Sequence, residues 1–178
     1  MARAATRATP HRGSWGQGLP ISLMAHATPS LPVLTMRAGS RLCALPIAHT
    51  VEVMRPLPIE HLAGAPPFVL GLAMIRGNAT PVINLAALLA ASAAAPVTGA
   101  ARFVTLRVGT RGVALRVEAV LAIHTLVPAQ LAALPPLWQG VNSPTVALGT
   151  LDRELLLVLE AARLLPEDGD VSRRKGDG

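Results

Sequence analysis

Aromatic side chains are scarce in this chain: two Phe, two Trp and no Tyr make up 2% of 178 residues. Its core must therefore be assembled from Leu, Val, Ile and Ala, many small side chains instead of a few large anchors. Cysteine occurs once, as Cys43, which excludes an internal disulfide and a Cys-based zinc site. That cysteine falls inside the apolar run Leu42–Ile47 and reads as a buried, inert thiol. No apolar run reaches the roughly 18–20 residues that a membrane-spanning helix needs. The longest, Leu85 to Val97, is Ala-rich, broken by Ser92 and closed by Pro96. No direct membrane insertion is expected, and a cytoplasmic location is the expectation that follows.

Acids are also few, ten against sixteen Lys and Arg, but the position of the excess matters more than its size. Residues 1–42 hold five Arg and no acid, residues 43–166 hold eight Arg against six acids, and the rest holds three bases against four acids. The body is thus nearly balanced. It shows no cationic stripe interleaved with aromatics, so a small-barrel nucleic-acid binder remains an alternative favoured only by the isoelectric point. Residues 1–30 are rich in Ala, Thr, Arg, Gly and Pro without apolar periodicity. They read as a disordered or mis-started extension, since they lack both an apolar signal core and an uninterrupted amphipathic helix.

Catalytic groups are missing as constellations. His49, His61 and His124 are scattered, with no pair at i, i+4 spacing for a metal. Ser143 lacks the flanking glycines of a nucleophile elbow, and no phosphate-cradling glycine loop is present. The six body acids include no pair placed for acid–base work. No catalytic site, metal or cofactor is expected.

What the chain does contain is short strands. Leu31–Met36, Arg41–Ile47, Thr50–Met54, Arg102–Val108, Val113–Leu121, Thr145–Leu151 and Glu154–Leu159 are apolar or alternating runs separated by turn residues. Leu131–Leu134 reads as at most one helical turn, and Glu160–Leu165 as a short closing helix stopped by Pro166. About nine or ten short strands with little helix predict an all-β fold of two small barrels. An Ala-rich linker at residues 93–101 places the subdomains at about 31–92 and about 102–166, followed by a charged tail at 167–178. No period-matched internal repeat is evident.

The stretch Phe68–Leu85 is the most informative. Two apolar runs flank Gly77-Asn78, a pair suited to a tight hairpin turn, with Arg76 standing alone just before it. Pro81 predicts an edge strand or a bulge, because it has no N–H for the ladder. Asn84 precedes a run of strong helix formers and is placed to cap them. Arg76 needs a carboxylate or carbonyl partner if buried, and Glu52 is the best-placed acid. A contact within the chain is the reading favoured for Arg76, and a partner-facing role for Glu52.

Gly71-x-x-x-Ile75-Arg76-Gly77 followed by Pro81-Val82-Ile83-Asn84-Leu85 resembles the central signature of the CheW-like domain of bacterial chemotaxis. Glu52-Val53-Met54 and Val117-Glu118-Ala119-Val120 resemble further elements of that family, and the similarity spans roughly Leu34 to Leu165. The resemblance implies two SH3-like five-stranded β-barrel subdomains with short helices and no catalysis. It implies an adaptor that couples the regulatory domain of a CheA-type histidine kinase to the cytoplasmic tip of chemoreceptors, associated with membrane-bound receptor arrays. An adaptor of a type IV pilus, twitching or other kinase array is the alternative. By residue, the resemblance assigns Thr50, Val51, Glu52, Val53, Gly71, Arg76 and Gly77 to partner binding. Pro81, Asn84 and Glu118 are assigned to structure. Thr50 departs from the family's usual Val, Asn84 from Asp, and Glu118 and Glu160 from Asp.

Overall fold

The alternation of apolar and polar residues is spent on strands that run almost edge to edge, and their order in space is not their order in sequence. The computed structural model describes residues 30–90, 101–136 and 143–165. The expected N-terminal extension (save Ser30), linker (save Ala101) and charged tail lie outside the described residues. Among those described, there are eleven strands: β1 (Leu31–Ala38), β2 (Arg41–Pro46), β3 (Thr50–Met54), β4 (Val69–Ile75), β5 (Asn78–Asn84), β6 (Arg102–Val108), β7 (Arg111–Val117), β8 (Ala119–Leu126), β9 (Ala132–Ala133), β10 (Thr145–Leu151) and β11 (Glu154–Leu159). One α-helix, α1 (Leu85–Ala90), follows β5, and a 3-10 turn at Ala161–Leu164 follows β11. Residues 131–134 form no helical turn: the 3-10 turn sits earlier, at Pro128–Gln130, and β9 follows it.

The strands form two sheets, one ordered β8-β1-β2-β11-β10-β9 and the other β3-β6-β7-β5-β4. The fold is therefore all-β with two sheets and little helix. Strand pairing departs from the division at about 31–92 and 102–166, because each sheet takes strands from both sides of the linker. β3 follows the β1–β2 hairpin through the 3-10 turn Ile47–His49 and pairs with β6, while β8 crosses back to pair with β1. A small-residue linker marks a covalent boundary and carries no information about hydrogen-bonding partners.

The sheets share a central core. Leu34, Met36, Cys43, Leu45, Leu157 and Leu159 of the first meet Ile83, Val104, Leu106, Val113, Leu115 and Val117 of the second. Each sheet also has an apolar cluster of its own, around Val33, Ala44 and Leu156 in the first and around Phe103, Ala73 and Val82 in the second. Burial raises the Cys43 thiol to about 12, so it stays protonated and unreactive at neutral pH.

A repeat not anticipated from the sequence emerges here. Exchanging β1, β2, β3, β4 and β5 for β6, β7, β8, β10 and β11 converts one sheet order into the other, apart from the extra β9. Equivalent residues lie 70 apart in the first three strands: Thr35-Met36-Arg37-Ala38-Gly39-Ser40-Arg41 answers Thr105-Leu106-Arg107-Val108-Gly109-Thr110-Arg111. In the last two strands they lie 76 apart. Bulges fall between Val69 and Gly71 and between Thr145 and Ala147. Asn84 N–H donates to Phe68 O at 2.8 Å, and Glu160 N–H to Pro144 O at 2.9 Å. The parallel pairings β5–β7 and β2–β11 are equivalent as well.

Candidate partner-binding edges

The β4–β5 hairpin turns on Arg76-Gly77 instead of Gly77-Asn78, since Ile75 pairs with Asn78. Both turn residues take positive φ, 49° and 79°, the geometry that matches the twist of the flanking strands. Arg76 is thereby carried out of the sheet at the tip, where its side chain is 73% exposed. It is not buried, but it is paired: its Nε and Nη2 donate to Glu52 Oε1 and Oε2 at 2.8 and 2.7 Å. Asn78 braces the turn by donating to the Arg76 carbonyl at 3.2 Å. Hydrogen bonds from Arg76 hold the Glu52 carboxyl below its usual range.

The position of this ion pair follows from the topology. Glu52 lies on β3, at one edge of the five-stranded sheet, and Arg76 is at the tip of the β4–β5 hairpin that forms the other edge. The pair links two edges that backbone ladders leave apart. Glu52 is further gripped by its backbone, since its N–H donates to Thr105 Oγ1 at 3.2 Å and its carbonyl accepts from the same hydroxyl at 3.3 Å. Val51 is the extra residue of the bulge between Thr50 and Glu52. Val51 and Val53 stand 54% and 43% exposed, flanking Glu52 along an open edge. Thr50 instead turns its Oγ1 inward, buried and without a hydrogen-bond partner.

Gly71 is placed differently from the other site candidates. It sits in the β4 bulge at φ 138°, and a Cβ there would lie 2.1 Å from Glu60 O. That space is taken because Glu60 and Leu72 exchange two backbone hydrogen bonds of 2.8 Å. Gly71 thus lets the loop after β3 close against β4.

The three structural candidates also resolve. Pro81 lies on β5, which is an interior strand, not an edge. The ring is accommodated because the ladder to β7 begins only at Val82, one residue later. Asn84 Oδ1 accepts from Ala87 N–H at 3.3 Å at the start of α1. Glu118 lies on neither of the strands beside it. It occupies the break between β7 and β8, where its carboxylate accepts from Gly39 N–H at 2.8 Å and its N–H donates to Arg37 O at 3.0 Å.

Sequence reading missed a second edge. By the 70-residue repeat, Val51, Glu52 and Val53 correspond to Leu121, Ala122 and Ile123 of β8. Thr35 grips Ala122 as Thr105 grips Glu52, donating to its carbonyl at 3.0 Å and accepting from its N–H at 3.3 Å. Leu121 and Ile123 are 50% and 65% exposed on this open edge. The recurring Thr-x-Arg-x-Gly-Ser/Thr-Arg string was the signal that would have revealed it.

Among the described residues no three of His, Cys, Asp and Glu gather where they could hold a metal ion. No helix among them is long and apolar enough to cross a membrane. The geometry defines a two-sheet β scaffold with two related, solvent-facing apolar edges. A family model of the CheW-like domain matches residues 32–169, and the chain belongs to that family. Among solved structures it is similar to the scaffolding protein TtCheW from Thermoanaerobacter tengcongensis. The two share 17% identity at a TM-score of 0.66, over 74% of this chain and 90% of that one. No curated protein sequence matches the chain.

Proposed function

We propose that this protein is a non-catalytic adaptor of a chemotaxis-type signalling assembly. It couples the regulatory domain of a CheA-type histidine kinase to the cytoplasmic tip of chemoreceptors and works on the cytoplasmic side of receptor arrays. Membership of the CheW-like family supports the reading, as does likeness to a protein named as a scaffold. The observation that carries it is the pair of exposed apolar edges on separate sheets, since an adaptor must hold two partners at once. On this reading Thr50, Val51, Glu52 and Val53 make the kinase-facing edge. Gly71, Arg76 and Gly77 set its shape, and Leu121 and Ile123 serve the second partner. Each sheet then curls as an SH3-like barrel, the one containing β3 drawn together by the Arg76–Glu52 pair.

The test is a calorimetric titration of the full chain against a kinase regulatory domain and, separately, a receptor-tip fragment. Val53→Asp should abolish binding of one partner and spare the other, and Ile123→Asp should do the reverse. Loss of neither interaction in folded variants sinks the two-edge reading; no binding to either protein by the wild type sinks the adaptor reading.

A further inference from the structure

The repeat identifies a cation that has lost its partner. Arg37 and Arg107 are equivalent, being two residues beyond Thr35 and Thr105 on β1 and β6. Arg37 is held by both carboxylate oxygens of Glu154, the residue just after the β10–β11 turn. The residue equivalent to Glu154 in the other sheet is Asn78, which carries no charge and donates to Arg76 O. Arg107 is exposed and makes no hydrogen bond or ion pair among the described residues.

Its location gives this a consequence. Arg107 lies on the same strand face as Thr105, whose hydroxyl grips the backbone of Glu52, and about 7 Å further along the strand. In the β3–β6 register Leu106 pairs with Thr50, so Arg107 stands beside the Thr50 end of the β3 edge. Arg55, just past the end of β3, is a second exposed cation, with no partner among the described residues. The one acid on β3, Glu52, is already bound to Arg76. Arg107 and Arg55 thus stand at the two ends of β3, with the exposed Val51 and Val53 between them.

We propose that the β3 edge docks a protein face bearing carboxylates beside apolar side chains, and that Arg107 is the residue that meets those carboxylates. This rests on the adaptor reading and specifies the chemistry of one partner. The test is titration of the full chain against the CheA-type regulatory domain at low and at physiological ionic strength. Arg107→Glu should weaken binding about tenfold at low salt, and the gap should narrow as salt screens it. Asn78→Glu keeps Arg107 but supplies an internal carboxylate, as Glu154 does for Arg37. It should raise the melting temperature and still weaken binding about threefold. If the wild type binds while both folded variants bind equally well, the inference is overturned and the adaptor reading stands. If the wild type does not bind, both fall.

Discussion

The β3 and β8 edges occupy equivalent places in two sheets with the same strand order, yet they differ in chemistry. Each is gripped by a buried threonine through a pair of hydrogen bonds to one residue's backbone, and each exposes two aliphatic side chains. On β3 the gripped residue is Glu52, latched by Arg76; on β8 it is Ala122, with Asp152 at Arg76's place and no latch. The first sheet spends its main ion pair elsewhere, on Arg37 and Glu154 between β1 and β11. Backbone geometry is shared by the two sides while their charges differ. The shared elements, Thr35 and Thr105 and the two bulges, give the edges the same geometry, and the residues that differ set the charge each edge presents.

The comparison breaks most severely at the bulges. Gly71→Ala should destabilise the protein by about 3 kcal/mol, because the positive φ resists a side chain and the new Cβ meets Glu60 O. Its counterpart Ala147 tolerates a Cβ, so Ala147→Gly should cost about 1 kcal/mol or less in the same chemical melts. Equal losses would show that the bulges are not differently constrained.

Acid titration sharpens the contrast between the ion pairs. Arg76 and Arg37 hold the Glu52 and Glu154 carboxyls below their usual range through hydrogen bonds. Because these folded values lie below the unfolded one, near about 4.3, the stabilisation is complete above that pH. It is lost as pH falls through the folded values. Melting temperatures measured from pH 7 to 3 should drop less steeply for Glu52→Gln and for Glu154→Gln than for the wild type. Identical acid limbs would mean that the pairs add nothing.

Two smaller effects exchange residues between the repeats. Thr50→Val installs the side chain that the repeat carries at Val120 and removes a buried, unpartnered hydroxyl. It should stabilise by about 1 kcal/mol, read from the denaturant midpoint. Arg153→Gly copies Gly77 into a turn position at φ 68°, where a side chain is strained. A gain of up to about 1 kcal/mol is expected, and a loss would show that the Arg153 side chain contributes to folding.

Much of the architecture was legible. Period-two alternation and turn residues at short spacing indicated an all-β chain, because side-chain alternation is a local property of the strand. The Arg76–Glu52 pair was accessible because Glu52 is one of few acids in a body that offers Arg76 little choice. The hairpin was displaced by one residue, since Arg76 proved to be a turn residue with positive φ, which its side chain does not advertise. The exchange of β3 and β8 between sheets was not legible: a strand's sequence states which face is apolar but not which neighbour it will pair with. Pro81 illustrates the same limit, as an interior strand tolerates it only because the neighbouring ladder starts one residue later.

The sequence by itself determined most of the strands, the helix cap at Asn84 and the CheW-like signature, all consequences of local conformational preference and short spacings. It also contained the repeat in plain letters. Tertiary structure alone decided that the halves interleave, that Glu52 and Arg76 link opposite edges of one sheet, and that Leu121 and Ile123 form a second exposed edge. These depend on contacts between residues far apart in the chain, which are fixed by burying apolar faces together and not by any residue's own preference.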